Sequence, residues 1–135
     1  MRQFLPALRV YSEFLWEHYH NPHHRERPQQ FQRSARKVNP ICPDVVELFL
    51  QTTVDGRLEL YFAAEACLPA IAAASLLCQW TAGRSLEELS GVTEQDLWHW
   101  VGPLPPNKRH AVQLTFLALQ ELLSPRAFNP SAEGV

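Results

Sequence analysis

The chain contains few cysteines and no long hydrophobic run. Three cysteines in 135 residues do not make a disulfide framework, and they favour free thiols in a reducing compartment. The longest nearly apolar run, residues 66–78, is too short to span a bilayer. Residues 1–10 carry two arginines and a proline and lack the apolar stretch of a signal peptide. We therefore expect a soluble, cytoplasmic protein.

Several catalytic signatures are also missing. The sequence has no GxSxG, GxxxxGK or HExxH pattern, which disfavours hydrolase and nucleotide chemistry. It also lacks the compact CxxC spacing that would indicate a metal site by itself. We expect a protein that is not an enzyme.

Charge is distributed unevenly along the chain. The formal net charge is −2, but residues 1–40 carry seven Lys/Arg and three Asp/Glu, whereas residues 41–135 carry five and eleven. The basic N-terminal region is either a surface for an acidic partner or simply a basic loop on an acidic domain. Nothing in the overall balance points to a nucleic acid or a membrane as partner.

The length corresponds to a single domain, residues 1–135. Helical spacing predicts a helix over 4–19 that Asn21-Pro22 ends, followed by a basic loop over 22–40 with a short strand at 34–38. Strands are predicted at 45–53 and 57–62, joined at Val54-Asp55-Gly56.

The second half of the chain is predicted to be helical. Residues 69–81 are apolar on nearly every side, which is typical of a buried helix. Short helices follow from Ser85 and Thr93, a last helix covers 106–123, and we expect the tail 124–135 to fray. The predicted fold is α+β: a small antiparallel sheet of two or three strands with helices packed on one face.

Four residues with metal-binding side chains lie at the edges of these elements. Cys42 and Asp44 precede a strand, whereas Cys67 and His110 each open a helix. Each is weak as a separate signal, but two thiols, a carboxylate and an imidazole make a plausible ligand set for zinc or an iron–sulfur unit. The helix N-terminus is expected to favour the Cys67 thiolate.

The remaining cysteine and the clustered histidines are interpreted differently. Cys78 follows Cys67 by eleven residues, about 16 Å along a regular helix, so we interpret it as a small buried hydrophobe. His20 and His24 have metal-site spacing, but Pro22 breaks the helix between them. For these two, and for His18 and His23, surface or loop roles are favoured.

Over residues 11–123 the segments resemble the IscU/NifU-type scaffold proteins of iron–sulfur cluster assembly. The resemblance rests on motifs in the family's order and spacing: HYHNP at 18–22, CPD at 42–44, AC at 66–67, AIAAASL at 70–76, GRSLEE at 83–88 and LPPNKRH at 104–110.

The resemblance implies a SufE/IscU-like fold and a site made of Cys42, Asp44, Cys67 and His110. In the family, a cysteine desulfurase delivers sulfur, iron arrives, and a transient [2Fe–2S] cluster forms before it is passed on. Many members also bind zinc at the same place. Other iron–sulfur assembly proteins are the remaining partners that the family implies.

This chain departs from the family pattern at several positions. The family's third cysteine is Ala111 here, and two glycines are replaced by Pro43 and Ala66. Asn107 interrupts a motif that the family's chaperone recognises. Three hypotheses follow: a divergent scaffold that still binds metal, a regulatory partner of a desulfurase system without cluster assembly, or a SufE-type sulfur acceptor using Cys42 or Cys67.

Overall fold

The computed structural model describes residues 11–40 and 43–130. Its elements are α1 (Glu13–His20), β1 (Arg33–Val38), β2 (Val45–Thr52), β3 (Leu58–Glu65), α2 (Leu68–Thr81), α3 (Leu86–Ser90), α4 (Glu94–Val101), a 3₁₀ turn (Pro106–Lys108) and α5 (Arg109–Leu123). Within these residues no helix combines the length and the hydrophobicity needed to cross a membrane.

The three strands form one antiparallel sheet in the order β1-β2-β3. The predicted hairpin is confirmed: β2 and β3 are joined by a turn in which Gly56 has a φ of +84°, a conformation that suits glycine. The register places Val45 opposite Glu65, so the start of β2 lies beside the end of β3. This pairing brings residues near 44 close to residues near 67.

The core lies between one face of the sheet and the helices, as the sequence predicted. Alternate residues of the strands face inward and are fully or almost fully buried: Val46, Leu48, Leu50, Leu58, Leu60 and Phe62. α2 packs on β3 and α5 packs on β1 and β2. Nearly every residue of α2 is buried, which explains its run of alanines, because small side chains let neighbouring elements approach closely.

The first described helix is shorter than predicted. Ser12 has an extended backbone and its hydroxyl accepts the amide hydrogen of Leu15 at 3.2 Å, so it is the N-cap of α1. The prediction of a continuous helix over 4–19 is therefore wrong at Ser12. The part of that prediction within residues 1–10 lies outside the described residues. The predicted end is confirmed, because Asn21 is the C-cap.

The last helix also begins differently. Pro106–Lys108 form a 3₁₀ turn, and the α-helix starts only at Arg109. Pro106 suits the first position of this turn, because its φ is fixed near the helical value and an amide hydrogen there would have no partner in the turn. This turn sets the position of His110, the second residue of α5.

Part of the C-terminal tail is held against the sheet. Phe128 exchanges two backbone hydrogen bonds of 2.9 Å with Ser34 on the outer edge of β1. The prediction of a frayed tail over 124–135 is therefore wrong at Phe128. The outer edge of β1 has unpaired backbone groups, and Phe128 pairs with them. Residues 131–135 lie outside the described residues.

Candidate metal centre

Asp44 and Cys67 meet where the start of β2 faces the N-terminus of α2. Asp44 directly precedes β2, and its carbonyl accepts the Asn39 amide hydrogen at 2.9 Å, which closes the connection from β1. Its side chain is buried. The Asp44 carboxylate lies close enough to the Cys67 thiol to raise its pKa, both as a hydrogen-bond acceptor and through its charge. The structure thus brings together two of the predicted site residues that are 23 positions apart in the chain.

Cys67 is the N-cap of α2, with an extended backbone and a half-buried thiol. Burial raises the pKa of this thiol, and the hydrogen bond to Asp44 and the negative charge of Asp44 raise it further. The Ala70 amide and the Lys108 ammonium act in the opposite direction but do not outweigh burial. The amide of Ala70 at the helix N-terminus does favour the thiolate, as expected, but burial outweighs it in the metal-free protein. Cys67 would have to release its proton on binding a metal.

Two buried polar atoms in this region have no hydrogen-bond partner within the described part of the chain. They are Oδ2 of Asp44 and Nε2 of His110. Buried polar groups are nearly always satisfied, so each such atom needs an explanation. Carboxylate oxygen and imidazole nitrogen are common metal ligands, so the donor chemistry of these two residues fits a cation.

The four predicted ligands are not all brought together. Among the described residues, no three His, Cys, Asp or Glu side chains are arranged to hold a metal ion. His110 lies on the neighbouring segment and lines a groove with Val38 and Pro40. Cys42 lies outside the described residues. The structure therefore shows the Asp44–Cys67 pair and a separate His110.

Sequence reasoning missed Lys108, whose positive charge reaches Cys67. The available signal was its position two residues before His110, in the segment that resembles a family motif. Ala111, which takes the place of the family's third cysteine, is fully buried in the core. In the metal-free structure that position therefore packs against apolar neighbours.

A second polar cluster lies halfway along α2. The hydroxyl of Ser75 is fully buried; it is hydrogen-bonded to Nδ1 of His18 at 2.8 Å and accepts the His23 amide hydrogen at 2.7 Å. His18 and His23 are thus tied to the core instead of being surface residues, whereas His20 is exposed, as expected. His24 lies between His23 and Tyr61, stacked on both rings. The interpretation of Cys78 as a buried hydrophobe is confirmed, and burial raises the pKa of its thiol.

Comparisons with known proteins agree with this architecture. The chain is 32% identical over 108 residues to the iron–sulfur cluster assembly scaffold protein IscU of Escherichia coli K12, covering 75% of this chain and 81% of that protein. It is 26% identical over 115 residues to the scaffold protein IscU 1 of Archaeoglobus fulgidus, covering 84% and 74%. The crystal structure of a nitrogen-fixing NifU-like protein (N-terminal) from Brucella abortus has the same fold, with a TM-score of 0.66 and 17% identity over 84% of this chain and 92% of that one.

The profile of the NifU-like N terminal domain matches residues 10–125, which include all the strands and helices described above. The match extends over most of the chain and agrees with both the curated relatives and the solved fold. The chain therefore belongs to the NifU-like N terminal domain family.

Proposed function

We propose that this protein is a divergent iron–sulfur cluster assembly scaffold that binds iron, a transient [2Fe–2S] cluster or zinc through Cys42, Asp44, Cys67 and His110. The contact between Asp44 and Cys67 carries the proposal, because it joins two candidate ligands from distant parts of the sequence. Oδ2 of Asp44 and Nε2 of His110 support it, since both are buried, have no partner among the described residues and are atoms that can bind a cation. The named relatives are cluster assembly scaffolds.

Iron and sulfur are the substrates in this proposal, with a cysteine desulfurase as the sulfur source. The residues of the chain have separate tasks. Asp44 accepts the thiol hydrogen of Cys67 in the metal-free state. A cation that binds Cys67 replaces the proton of its thiol. Metal binding should therefore release protons, and the metal affinity should fall as the pH falls. His110 would have to approach the Asp44–Cys67 pair, which requires movement of the 3₁₀ turn before α5.

Metal analysis of the purified protein tests this proposal. We expect about one zinc per chain after purification in air, or a [2Fe–2S] absorption spectrum after anaerobic reconstitution. Cys67→Ser should lose most of the bound metal, because serine is a poor ligand for soft metals.

Cys78→Ala is the matched control for that experiment. It also removes one thiol, but Cys78 is fully buried in the middle of α2. The control should keep the wild-type metal content. Full metal content in Cys67→Ser, or equal loss in both variants, would contradict the proposed site.

The second candidate is a regulatory partner of a cysteine desulfurase that no longer assembles clusters. The buried Ala111 favours it, because the position after His110 offers no sulfur ligand. Ala111→Cys separates the two candidates. A large gain in cluster formation would mean that the missing thiol limits assembly, whereas desulfurase binding with no cluster in either protein would favour the regulatory role.

A SufE-type sulfur acceptor is the remaining alternative, with Cys42 or Cys67 as the acceptor. Incubation with a desulfurase and cysteine, followed by mass spectrometry, tests it through the mass of one added sulfur atom. The raised pKa of Cys67, which burial causes, makes this thiol a weak nucleophile at neutral pH. Persulfide on Cys67 without any metal binding would replace the scaffold proposal by this one.

A further inference from the structure

An apolar groove lies at the C-terminal half of α2, away from the candidate metal centre. Its floor is one face of α2, formed by Leu76, Gln79 and Trp80, and its walls are Phe14 of α1 and Trp100 of α4. The groove has a volume of about 280 Å³. Phe14 is 51% exposed, although it is a large apolar side chain. Exposed aromatic residues grouped in a groove are typical of interaction sites.

One side of this groove is strongly acidic. Residues 86–96 contain four carboxylates and no lysine or arginine. Trp80 separates the apolar groove from a second depression of about 220 Å³, whose lining includes Glu87, Glu88 and Asp96. Glu87 is exposed and makes no ion pair within the described part of the chain.

Hydrogen bonds fix the other carboxylates in place. Glu88 and Asp96 close the capping boxes of α3 and α4, and Glu94 accepts the indole hydrogen of Trp98 at 3.1 Å. Of the four carboxylates, only Glu88 is paired with a cation, Arg84, in the described residues, and that pair is on the surface. Most of the negative charge of these four residues is therefore not neutralised, and three of the four carboxylates are already held in place before a ligand binds.

A cation of the chain already lies on one of the aromatic rings that line the groove. The guanidinium of Arg84 lies 4.1 Å from the centre of the Trp80 ring, and Trp100 lies 5.4 Å from the same ring. Indole rings attract cations through their faces, so the aromatic surface and the carboxylates favour the same kind of ligand. That ligand combines apolar groups with positive charge.

We propose that this groove binds a basic amphipathic helix of a protein partner. Apolar side chains at successive turns of that helix fit between Phe14 and Trp100, and its lysine or arginine residues face Glu87 and the carboxylates beside it. The floor of the groove is a helix and presents no free strand edge, so an extended peptide could not gain backbone pairing there. The site is separate from Asp44 and Cys67, and its occupancy does not depend on metal binding.

Two synthetic helical peptides test the proposal on the full-length protein. One contains leucine and lysine in amphipathic order, and the other has glutamate in place of lysine. Calorimetry and tryptophan fluorescence measure binding at low and moderate salt. We expect the basic peptide to bind at least about tenfold more tightly than the acidic peptide, and added salt to weaken it.

Point variants locate the binding site. Glu87→Lys and Phe14→Ala should each weaken the basic peptide by about fivefold or more. Glu26→Lys is the matched control for charge, because Glu26 is exposed and acts on Tyr61 of β3, not on the groove. It should bind like the wild type, and so should Cys67→Ser, which separates this proposal from the metal site.

Three results would overturn the proposal. The first is absence of binding by the basic peptide at millimolar concentration. The second is equal weakening by Glu87→Lys and Glu26→Lys, which would mean nonspecific attraction to an acidic protein. The third is a dimer in sedimentation experiments that Phe14→Ala dissociates, because the occupant of the groove would then be a second copy of this chain.

Discussion

Two clusters of polar groups are buried against α2, one at its N-terminus and one halfway along it. In the middle cluster, Ser75 uses its hydroxyl for two hydrogen bonds, and these tie His18 and the backbone of His23 to the core. At the N-terminus, one oxygen of Asp44 has no partner within the described residues, and neither has Nε2 of His110 on the segment before α5. The two clusters differ in their central group: the Ser75 hydroxyl makes two hydrogen bonds that join elements of the fold, whereas Oδ2 of Asp44 makes none within the described residues. The same helix thus carries a hydrogen-bonded hydroxyl in its middle and, in the function proposed above, a metal ligand at its N-terminus.

The largest effect is expected from Ser75→Ala, which removes the hydroxyl at the centre of the middle cluster. The His23 amide and His18 Nδ1 would both lose a buried partner, so the free energy of unfolding should fall by about 2–3 kcal/mol. Urea denaturation of the metal-free protein measures the change. Metal content per folded chain should stay at the wild-type value.

Thr115→Val provides the control for that loss. The Thr115 hydroxyl is buried and has no partner among the described residues, and valine has nearly the same shape. Its removal should leave stability unchanged or raise it by up to about 1 kcal/mol. A loss of stability as large as that of Ser75→Ala would mean that removing a buried hydroxyl destabilises this protein whether or not the hydroxyl is hydrogen-bonded. The contrast between the two clusters would then not hold.

Asp44→Ala should show the opposite pattern to Ser75→Ala, with little change in stability and a large loss of metal affinity. Because one carboxylate oxygen has no partner in the described part of the chain, removal of the side chain should change the stability of the metal-free protein by less than about 1 kcal/mol. Metal affinity, measured by competition with a chromophoric chelator, should fall by at least about tenfold. A large loss of stability with unchanged affinity would assign Asp44 to the fold instead of the site.

A smaller effect is expected from pH. Burial lowers the pKa of His18 and of His23 below 6.5, so the unfolded chain binds more protons than the folded chain just below that pH. Stability should therefore fall as the pH drops below 6.5 and level off once the folded histidines are also protonated. Denaturation curves between pH 7.5 and 5 test this.

His18→Asn should reduce that pH dependence, because asparagine can still bond to Ser75 but does not titrate. Glu17 and His23 are the charged and titratable groups that act on His18. An unchanged slope in His18→Asn would place the titration elsewhere.

Much of the fold follows from local patterns in the sequence. The alternation of Leu58, Leu60 and Phe62 predicted the buried face of β3, and the capping box at Ser85 predicted the start of α3. Ser12 was missed because apolar residues continue at helical spacing on both sides of it. The pairing of Phe128 with Ser34 was missed because it joins positions 94 residues apart.

The sequence pointed to Cys42, Asp44, Cys67 and His110 as ligands, and their binding of a metal stays a prediction. Order and spacing of the motifs pointed to Asp44 and Cys67, which the structure places in contact. The pKa of Cys67 could not be inferred, because its direction depends on burial by the whole tertiary structure. The role of Ser75 was also hidden, since a serine within an alanine-rich helix looks like one more small residue.

The position of Phe128 has a consequence for the far edge of the sheet. A chain shortened to end at Leu123 would leave the amide and carbonyl of Ser34 open to any extended strand, including the same strand of another molecule. The C-terminal segment thus covers an edge at which molecules of this protein could otherwise pair. A chain that lacks the segment should aggregate under conditions in which it is still folded.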